Sequence, residues 1–377
     1  MRPRVVQVNC LIDGARREPD ALLEAWPTLP AVAEAASGAG AEVVVLAASH
    51  RAAEFRRGGI VYRFVAEPRL GAGSGPGLFP WRLAAAVRRE RPDVVHFNGF
   101  DFPLHARAIC GVGVPVLIQD HGSGAGGRAA PLRRWGYARI AGAAFTAVGQ
   151  AEPFRRHGQV PAHARVFAIP ESSSRFRPGS KAEARAATGL HGDPALLWVG
   201  HLNRNKDPLT VLNAVRGALP SLPGLQLWCA YGTAPLMSEV ESTLAGDPAL
   251  AARVHLLGPV PHDRIELLCR AADLFVLASR REGSGYALIE ALACGATPVV
   301  SDIPSFRELT GGGAVGALAP PGDARAFGDA LVRLAALPRE PLREQALAHF
   351  RTRLSFEIVG RKLVDAYRAL AAAGPRP

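Results

Sequence analysis

Residues 273–301 read DLFVLASRREGSGYALIEALACGATPVVS and contain one complete structural unit. The apolar runs Asp273–Ala278 and Thr297–Val300 have the length and composition of buried strands. Gly283 and Gly285 mark a turn between them, and the stretch from Ala287 has helical spacing. A strand, a helix and a second strand in this order predict two parallel strands with the helix packed on their sheet.

The same alternation of apolar runs and helical patterns extends over the rest of the chain. Two of the helical patterns are Ala31–Ala36 and Pro80–Arg89. Most of the apolar runs are continuous, which indicates strands buried on both faces in parallel sheets. Upstream of Asp273, the predicted strands are Arg4–Val8, Glu42–Ala47, Ile60–Val65, Asp93–Phe97, Val114–Gln119, Phe145–Val148, Val166–Ile169, Ala195–Val199, Leu225–Ala230 and Val254–Leu257.

A stretch rich in serine, proline and charged residues, near 170–190, separates two groups of strands and is interpreted as a linker. The sequence therefore predicts a domain over residues 1–175, a second over 190–350, and a helix within 351–377 that carries Leu363, Tyr367 and Leu370 at helical spacing. Ligands of doubly wound sheets bind at the carboxyl ends of the strands. We expect the two domains to face one another across a binding cleft.

The charge of the chain is concentrated in its first half. Lysine and arginine total 44 against 33 acidic residues, a net charge of +11, and residues 1–170 account for +8 of it. An anionic partner of the first half is one interpretation. The basic stretch 128–140, which contains Trp135 and Tyr137, fits peripheral contact with an anionic membrane or a solvated arginine face. No nucleic-acid-binding module is evident, so no nucleic acid partner is predicted.

Cysteine usage and hydropathy exclude other classes. The five cysteines are far apart and form no C-x-x-C pair, which argues against a disulfide framework or a zinc module. The sequence contains no run of about 20 apolar residues, so no membrane span is predicted. The first residues lack the pattern of a signal peptide. The expected location is the cytoplasm, with the inner face of the membrane as a peripheral site.

The turn between the first strand and the helix of residues 273–301 has the chemistry of a nucleotide-sugar site. Backbone N–H groups at a helix start, together with the helix dipole, bind phosphate. Glu282 in the turn and Glu290 one turn into the helix can accept hydrogen bonds from pairs of hydroxyls, as on a sugar and a ribose. The alternative is an acidic turn that stabilises its own helix.

Glu282-x7-Glu290, followed by ALACGATPVVSD and FRELTGGG, resembles the donor-site signature of retaining family 4 glycosyltransferases (glycosyl transferases group 1). The segments LWVGHLNRNKDPL, VHLLGPV, DVVHFNGF, LIQDHG and AVGQAEPFRRHG are also similar to segments of that family. The resemblance extends over about residues 90–370. It implies the GT-B fold, which is two Rossmann-like α/β domains facing across a cleft, with the acceptor side in the N-terminal domain, the donor in the C-terminal domain, and the last helix returning to the N-terminal domain.

The resemblance also implies roles for individual residues. Lys206 would bind the donor diphosphate, Glu282 the transferred sugar and Glu290 the ribose, while His121 would lie near the transferred sugar. His201 stands where the family has an arginine, and Arg204 is a candidate to compensate for that change. The other implied donor contacts, through backbone or base, are Gly258, Val260, Ser284, Gly285, Tyr286 and Ala287. His96, within an apolar run, is expected to be a core residue or part of the cleft wall.

By resemblance, the chain is an EC 2.4-class enzyme that moves a sugar from a UDP- or GDP-sugar to a hydroxyl of a glycan, a lipid-linked or a small-molecule acceptor, with retention. Such reactions serve bacterial glycan, glycolipid or glycosylated-metabolite synthesis. No Asp-x-Asp motif occurs, so no metal or other cofactor is expected. Alternatives are a related epimerase or phosphorylase of the same fold and a non-catalytic nucleotide-sugar-binding protein.

Three further features of the sequence bear on these alternatives. The first loop has Gly14 alone where the family has paired glycines, and Glu171-Ser172 replaces an Asn-Gly pair. Because of these departures, the sequence does not determine which residues contact phosphate in the first loop or which residues contact the acceptor. Gly122-x-Gly124-x-x-Gly127 fits a dinucleotide fingerprint, but it follows about the fifth strand and has Arg and Pro where the helix should open, which disfavours a dehydrogenase.

Overall fold

The computed structural model describes residues 2–67 and 80–374. The chain folds into two compact units, one formed by Met1–Ser172 with Phe356–Pro377 and the other by Ser173–Ser355. Residues 68–79 of the predicted N-terminal domain and 375–377 of the predicted C-terminal segment lie outside the described residues. Among the described residues, no helix combines the length and the apolar character needed to span a bilayer.

The N-terminal unit is built on an eight-stranded sheet. The strands are β1 (Arg4–Asn9), β2 (Glu42–Ser49), β3 (Ala53–Arg57), β4 (Ile60–Ala66), β5 (Val94–Asn98), β6 (Val116–Gln119), β7 (Gly142–Phe145) and β8 (Arg165–Ala168). Their order in the sheet is β3-β4-β2-β1-β5-β6-β7-β8, and all pairs are parallel except β3 with β4. The helices that precede or connect them are α1 (Pro19–Ala25), α2 (Thr28–Gly38), α3 (Trp81–Glu90), α4 (Pro103–Cys110), α5 (Ala130–Tyr137) and α6 (Ala151–Arg156).

The C-terminal unit contains a six-stranded parallel sheet. Its strands are β9 (Ala195–Gly200), β10 (Gln226–Tyr231), β11 (Val254–Gly258), β12 (Leu274–Leu277), β13 (Thr297–Ser301) and β14 (Ala317–Ala319), in the order β11-β10-β9-β12-β13-β14. Its helices are α7 (Lys181–Thr188), α8 (Pro208–Ala218), α9 (Met237–Ala245), α10 (Pro248–Ala251), α11 (His262–Ala271), α12 (Tyr286–Cys294), α13 (Pro304–Leu309), α14 (Ala324–Ala335) and α15 (Arg339–His349).

The last helix, α16 (Phe356–Ala371), belongs to the N-terminal unit. It packs closely on α2 at Gly360, where an added Cβ would lie 2.1 Å from the Ala35 carbonyl oxygen. Farther along α16, the Tyr367 hydroxyl lies 2.7 Å from Nδ1 of the fully buried His96. Gly360 therefore allows α16 to pack closely where it crosses α2. His96 is a core residue, as expected.

Apolar side chains cover both faces of the N-terminal sheet. Val5 packs in the core with α2 and α16, whereas the next residue, Val6, packs in the core with α3 and α4. This alternation explains why the central strands have continuous apolar sequences. The fold is therefore the expected α/β class, with two doubly wound and mainly parallel sheets.

The direction in which the strands are added reverses once in each sheet. In the N-terminal sheet the strands follow outward from β1 as β2, β4 and β3 on one side and from β5 as β6, β7 and β8 on the other. In the C-terminal sheet chain order runs outward from β9 on one side and from β12 on the other. The carboxyl ends of parallel strands share one edge, and loops diverge from that edge where the order reverses. Each unit consequently has one position where the topology opens a crevice.

Several local predictions were wrong. The strand expected at Phe145–Val148 is instead β7, which spans Gly142–Phe145. Its first residue is a glycine in a tight environment, since an added Cβ would lie 3.0 Å from Phe167 and 3.1 Å from Leu370. The edge strand β3, in which three of five residues are charged, and β14, which has only three residues, were missed. The interpreted linker contains α7, whose N-cap Ser180 accepts a hydrogen bond from the Glu183 N–H. The Ser180-x-x-Glu183 spacing is a helix-start signal that could have revealed α7.

Candidate functional site

The loops that follow β9 and β12 are joined at the reversal point of the C-terminal sheet. The Arg280 N–H donates to the Asn205 carbonyl at 2.8 Å, and the Asn205 side-chain amide donates to the Arg281 carbonyl at 2.9 Å. Arg280 Nη2 also lies 2.7 Å from Oδ2 of Asp207, the residue that caps α8. These contacts hold the two loops together, because β9 and β12 are neighbours in the sheet.

Lys206 and Glu282, from these two loops, form an ion pair between Nζ and Oε1. Their side chains are only 19% and 10% exposed. The Lys206 N–H donates to Asn203 Oδ1 at 2.9 Å, which fixes the turn that presents the ammonium group. An ammonium carries three donors, so Lys206 can hold Glu282 and still donate to another oxygen.

Helix α12 begins at Tyr286, four residues after Glu282, and its N-terminus lies at the same edge. Gly285 precedes the helix with φ +68°, and an added Cβ would lie 2.6 Å from Leu309 Cδ1. Only glycine satisfies both the left-handed backbone and the close approach of the core. The positive end of the α12 dipole is therefore next to the Lys206–Glu282 pair, together with Ser284, Tyr286 and Ala287.

Glu290, on the second turn of α12, contacts a residue that sequence reasoning missed. Its Oε1 lies 2.6 Å from Nε2 of His262, the first residue of α11. Burial raises the pKa of Glu290, although His262 opposes this shift. The His262 ring lies 4.8 Å from the Phe176 ring. The position of His262, two residues after Val260 in the segment expected to contact the base, was the available signal.

The remaining donor-site candidates occupy neighbouring loops at this edge. His201 directly follows β9, and its Nδ1 accepts a hydrogen bond from the Thr233 N–H at 3.0 Å, so a neutral ring carries its proton on Nε2. Arg204 is exposed on the same turn as Lys206. Gly258 ends β11 with φ +70°, and Val260, two residues later, is partly buried against the core. The predicted donor residues thus all belong to the C-terminal unit. They lie at the end of β11, on the loops that follow β9, β11 and β12, and on the first two turns of α12.

His121 belongs to the N-terminal unit, where it follows β6. Its Nε2 lies 3.2 Å from Asn98 Oδ1, and its Nδ1 lies 3.2 Å from Oε2 of the buried Glu171. Burial lowers the pKa of His121, but the Glu171 carboxylate, with Asp120 and Asp101, raises it overall. Glu171, one of the departures from the family pattern, is therefore the residue that orients His121 and contributes most to raising its pKa.

Asp120, adjacent to His121, is also perturbed. Burial, with the Glu171 carboxylate nearby, raises the pKa of Asp120 to about 6, although the Ser123 N–H lowers it. That N–H donates to Asp120 Oδ1 at 3.0 Å. A carboxyl that titrates near neutral pH, next to a histidine with a raised pKa, is characteristic of a functional site.

A cavity of about 380 Å³ opens beside His121, at the carboxyl ends of β1, β5 and β6. These strands flank the point where the strand order of the N-terminal sheet reverses. Gln7 and Asn9 from β1 and Asn98 from β5 line it together with Trp26, which ends α1. The described residues that line the cavity all belong to the N-terminal unit, and the cavity lies where such sheets bind ligands.

Two other segments that the sequence singled out have structural roles. In the first loop, the Asp13 carboxylate accepts hydrogen bonds from the N–H groups of Ala15 and Arg17, at 3.2 and 2.8 Å, and so closes the turn around Gly14. In the glycine-rich loop after β6, Arg133 donates to the carbonyl of Gly124 at 2.6 Å. That loop is held by an arginine and is followed by α5 only at Ala130, unlike a dinucleotide fingerprint.

The basic stretch 128–140 is partly engaged in packing. Besides Arg133, Arg134 lies against Gly158, and Arg107 of α4 lies 5.0 Å from the ring of the half-exposed Trp135. Among the described residues, no group of three or more His, Cys, Asp and Glu side chains is arranged to hold a metal ion.

Comparison with family models yields two matches. Residues 193–336 match the model described as "Glycosyl transferases group 1", and residues 31–170 match "Glycosyltransferase Family 4". Similar curated proteins include the D-inositol 3-phosphate glycosyltransferases of Mycobacterium tuberculosis (strain H37Rv) and Mycobacterium bovis (strain AF2122/97). Each is 33% identical over 221 residues, which cover 56% of this chain and 45% of the relative. The matched region spans less than half the length of these relatives.

Solved structures with the same fold include sucrose-phosphate synthase from Thermosynechococcus elongatus (TM-score 0.67, 17% identity, covering 99% of this chain and 100% of that one). Anabaena HepE in complex with UDP has a TM-score of 0.69 at 15% identity, covering 98% and 100%. The trehalose-phosphate synthase of Burkholderia xenovorans in complex with glucose-6-phosphate has a TM-score of 0.62 at 12% identity, covering 97% and 100%. At these identities the likeness establishes the fold.

Proposed function

We propose, because the chain belongs to glycosyltransferase family 4 (the group 1 glycosyl transferases), that it transfers a sugar from a nucleotide-diphosphate sugar to an acceptor hydroxyl with retention of configuration. The observation that carries this proposal is the Lys206–Glu282 pair beside the N-terminus of α12. A cation and a helix start offer charge and N–H groups to a diphosphate, and the adjacent carboxylate offers an acceptor to sugar hydroxyls.

The donor would lie along the carboxyl edge of the C-terminal sheet. Glu290 would accept hydrogen bonds from the ribose hydroxyls, and His262 holds one of its oxygens in place at 2.6 Å. Gly258 and Val260 would flank the base, which is that of a UDP- or GDP-sugar. The His201 Nε2–H, Arg204 and the backbone of Ser284–Ala287 would complete the contacts to the diphosphate and sugar. His201 carries less charge than an arginine, so Lys206 bears most of the electrostatic role.

The proposed reaction proceeds on one face of the sugar. The bond from the anomeric carbon to the β-phosphate oxygen breaks as the acceptor oxygen bonds to the same carbon from the same side. The acceptor proton passes to the leaving phosphate, so the products are the glycoside and the nucleoside diphosphate. Negative charge grows on the phosphate, and Lys206 with the α12 dipole stabilises it in the transition state. This scheme uses no metal or other cofactor.

The acceptor would be received by the N-terminal unit, at the cavity beside His121. With a raised pKa, the His121 imidazole is protonated over a wider pH range. Its Nε2–H, which lies 3.2 Å from Asn98 Oδ1, would exchange that contact for an oxygen of the transferred sugar or the acceptor. Glu171 keeps the ring in place through Nδ1, at 3.2 Å. This support for the imidazole is a reason to place His121 among the functional residues.

Calorimetry with UDP-, GDP-, ADP- and TDP-sugars tests the first part of the proposal. One class should bind, and transfer assays with that donor should give a glycoside whose anomeric configuration, read by NMR coupling constants, matches the donor. Binding without product over a broad acceptor screen would favour the non-catalytic nucleotide-sugar-binding protein. Conversion that needs no hydroxyl acceptor would favour a related epimerase or phosphorylase.

Two substitutions test the mechanism. Lys206→Ala and Glu282→Ala should each lower transfer by about a hundredfold or more, as the loss of a transition-state contact does. Arg216→Ala is the matched control, because Arg216 Nε pairs with Asp247 Oδ2 at 2.7 Å at the opposite end of α8, where the pair is more exposed. Near-normal turnover in both site variants would refute the mechanism.

A further inference from the structure

The cavity beside His121 has one apolar wall and one polar wall. Trp26, Leu29 and Val32, from the end of α1 and from α2, form much of the apolar wall. Leu11 extends it toward solvent, with 42% of its surface exposed. An aromatic ring and aliphatic side chains bind the apolar face of a ring or a hydrocarbon group.

The polar wall consists mainly of uncharged amides. Gln7, only 3% exposed, lines the cavity with Asn9 and Asn98. A carboxamide both donates and accepts, so three of them match hydroxyl groups, which also do both. His121 completes this wall through its contact with Asn98. The polar wall is therefore suited to a sugar or polyol.

The charges around the cavity oppose a phosphorylated ligand. Among the described residues that line it, none is an arginine or a lysine, and Asp101 contributes a carboxylate. Arg133 lies outside the lining, with Nη2 3.6 Å from Asp101 and Nη1 2.6 Å from the Gly124 carbonyl. A positive charge on His121 would be offset by the Glu171 carboxylate, which lies 3.2 Å from Nδ1. A phosphate here would face the half-exposed Asp101 carboxylate, and no described lining residue offers it an arginine or a lysine.

We infer that the acceptor is an uncharged glycoside or polyol that carries an apolar group, rather than a phosphorylated sugar or polyol. The inference rests on the proposed function, since it assigns the acceptor class of that reaction. The volume of about 380 Å³ is near the lower end of the ~300–1,000 Å³ of small-molecule sites, so one sugar ring with a small apolar group fits the cavity. The net positive charge of the first half of the chain is therefore not a signal for an anionic acceptor.

Binding of 4-nitrophenyl β-D-glucoside, glucose, glucose 6-phosphate and inositol 3-phosphate, measured by ligand-observed NMR without donor, tests the inference directly. The aryl glucoside should bind at least about tenfold more tightly than glucose and than either phosphorylated compound. Tighter binding of a phosphorylated compound, or no binding of the aryl glucoside, would overturn the inference. Calorimetric binding of the nucleotide sugar in the same preparation then reports separately on the proposed function.

Trp26→Ala should weaken aryl glucoside binding by about tenfold while leaving nucleotide-sugar affinity unchanged. Trp81→Ala is the matched control, because Trp81 is 71% exposed at the start of α3 and does not line the cavity. Leu11→Arg, at the open rim, should raise the affinity for glucose 6-phosphate relative to glucose, since it supplies the missing cation. Equal effects of the two tryptophan variants would contradict the assignment.

Discussion

Replacing Gly285 by alanine is the sharpest test of how the start of α12 is built. The new methyl group would lie 2.6 Å from Leu309 Cδ1 and 3.3 Å from Phe306 Cε1, and both side chains are fully buried. The left-handed backbone, with φ +68°, costs an L-residue about 1–2 kcal/mol. Overpacking against two core side chains costs about 1–3 kcal/mol more. We expect Gly285→Ala to lower the free energy of unfolding by about 2–5 kcal/mol.

Urea-induced unfolding, followed by circular dichroism, measures this loss. Gly217→Ala is the matched control, because Gly217 lies inside α8 and its added methyl group meets nothing within 4 Å. In a helix interior, alanine is favoured over glycine, so the control should be stabilised by about 1 kcal/mol. If Gly285→Ala lowers the free energy of unfolding while Gly217→Ala raises it, the loss at Gly285 comes from its backbone and packing constraints. A general effect of added apolar surface would change both variants in the same direction.

The substitution should also weaken nucleotide-sugar binding, because relief of the clash must displace the turn that carries Glu282 and Ser284. Calorimetry on the folded variant measures this effect. A loss of stability below about 1 kcal/mol, with unchanged affinity, would refute the close approach of this turn to α13.

Three further experiments test other contacts. Glu171→Gln should lower the pKa of His121 in an NMR titration, and the stability it removes should be greatest below pH 6.5 and decline as pH rises through the raised pKa. Asp273→Asn should cost about 3 kcal/mol at neutral pH in urea unfolding, because Asp273 holds Lys181 and Arg185 at 2.7 and 2.8 Å. Despite burial, the Ala195 N–H and these two cations lower the pKa of Asp273 below 3.8. The loss of stability in Asp273→Asn should therefore shrink as pH falls through this lowered pKa. A loss that does not depend on pH would contradict the ion pairs. A double-mutant cycle of Lys206→Met and Glu282→Gln should show a coupling energy of about 1–3 kcal/mol, and additive effects would refute the ion pair.

The class of the fold was predictable because burial on both faces leaves a local signature. Strands such as β2, with seven buried residues in succession, have an apolar pattern that no amphipathic helix or edge strand shares. Where that signature is weak, prediction failed: β3 exposes its charged residues at a sheet edge, and β7 begins with glycine and two alanines. Boundaries in such segments depend on neighbours that are distant in sequence.

The candidate donor residues were predictable because a strand, a glycine turn and a helix start bring Glu282, Gly285 and Glu290 together within nine residues. Partners from distant segments were not predictable in the same way. His262 precedes Glu290 by 28 residues, and Glu171 follows His121 by 50, so only the sheet order brings these side chains into contact. Sequence alone left His121 near even with a structural role, whereas its contact with Glu171 supplies a physical reason for function.

By itself, the sequence determined the α/β class, the likeness to a family and the residues with phosphate- and hydroxyl-binding chemistry, since each depends on short-range periodicity and spacing. The tertiary structure decided which of those residues meet. Lys206 contacts Glu282 because β9 and β12 are adjacent, and the cavity of the N-terminal unit combines Gln7, Trp26 and His121 from separate segments. The charge inside such a cavity is set by the side chains that line it, which the fold selects from distant segments. The net charge of +11 on the whole chain therefore could not identify the ligand of the cavity.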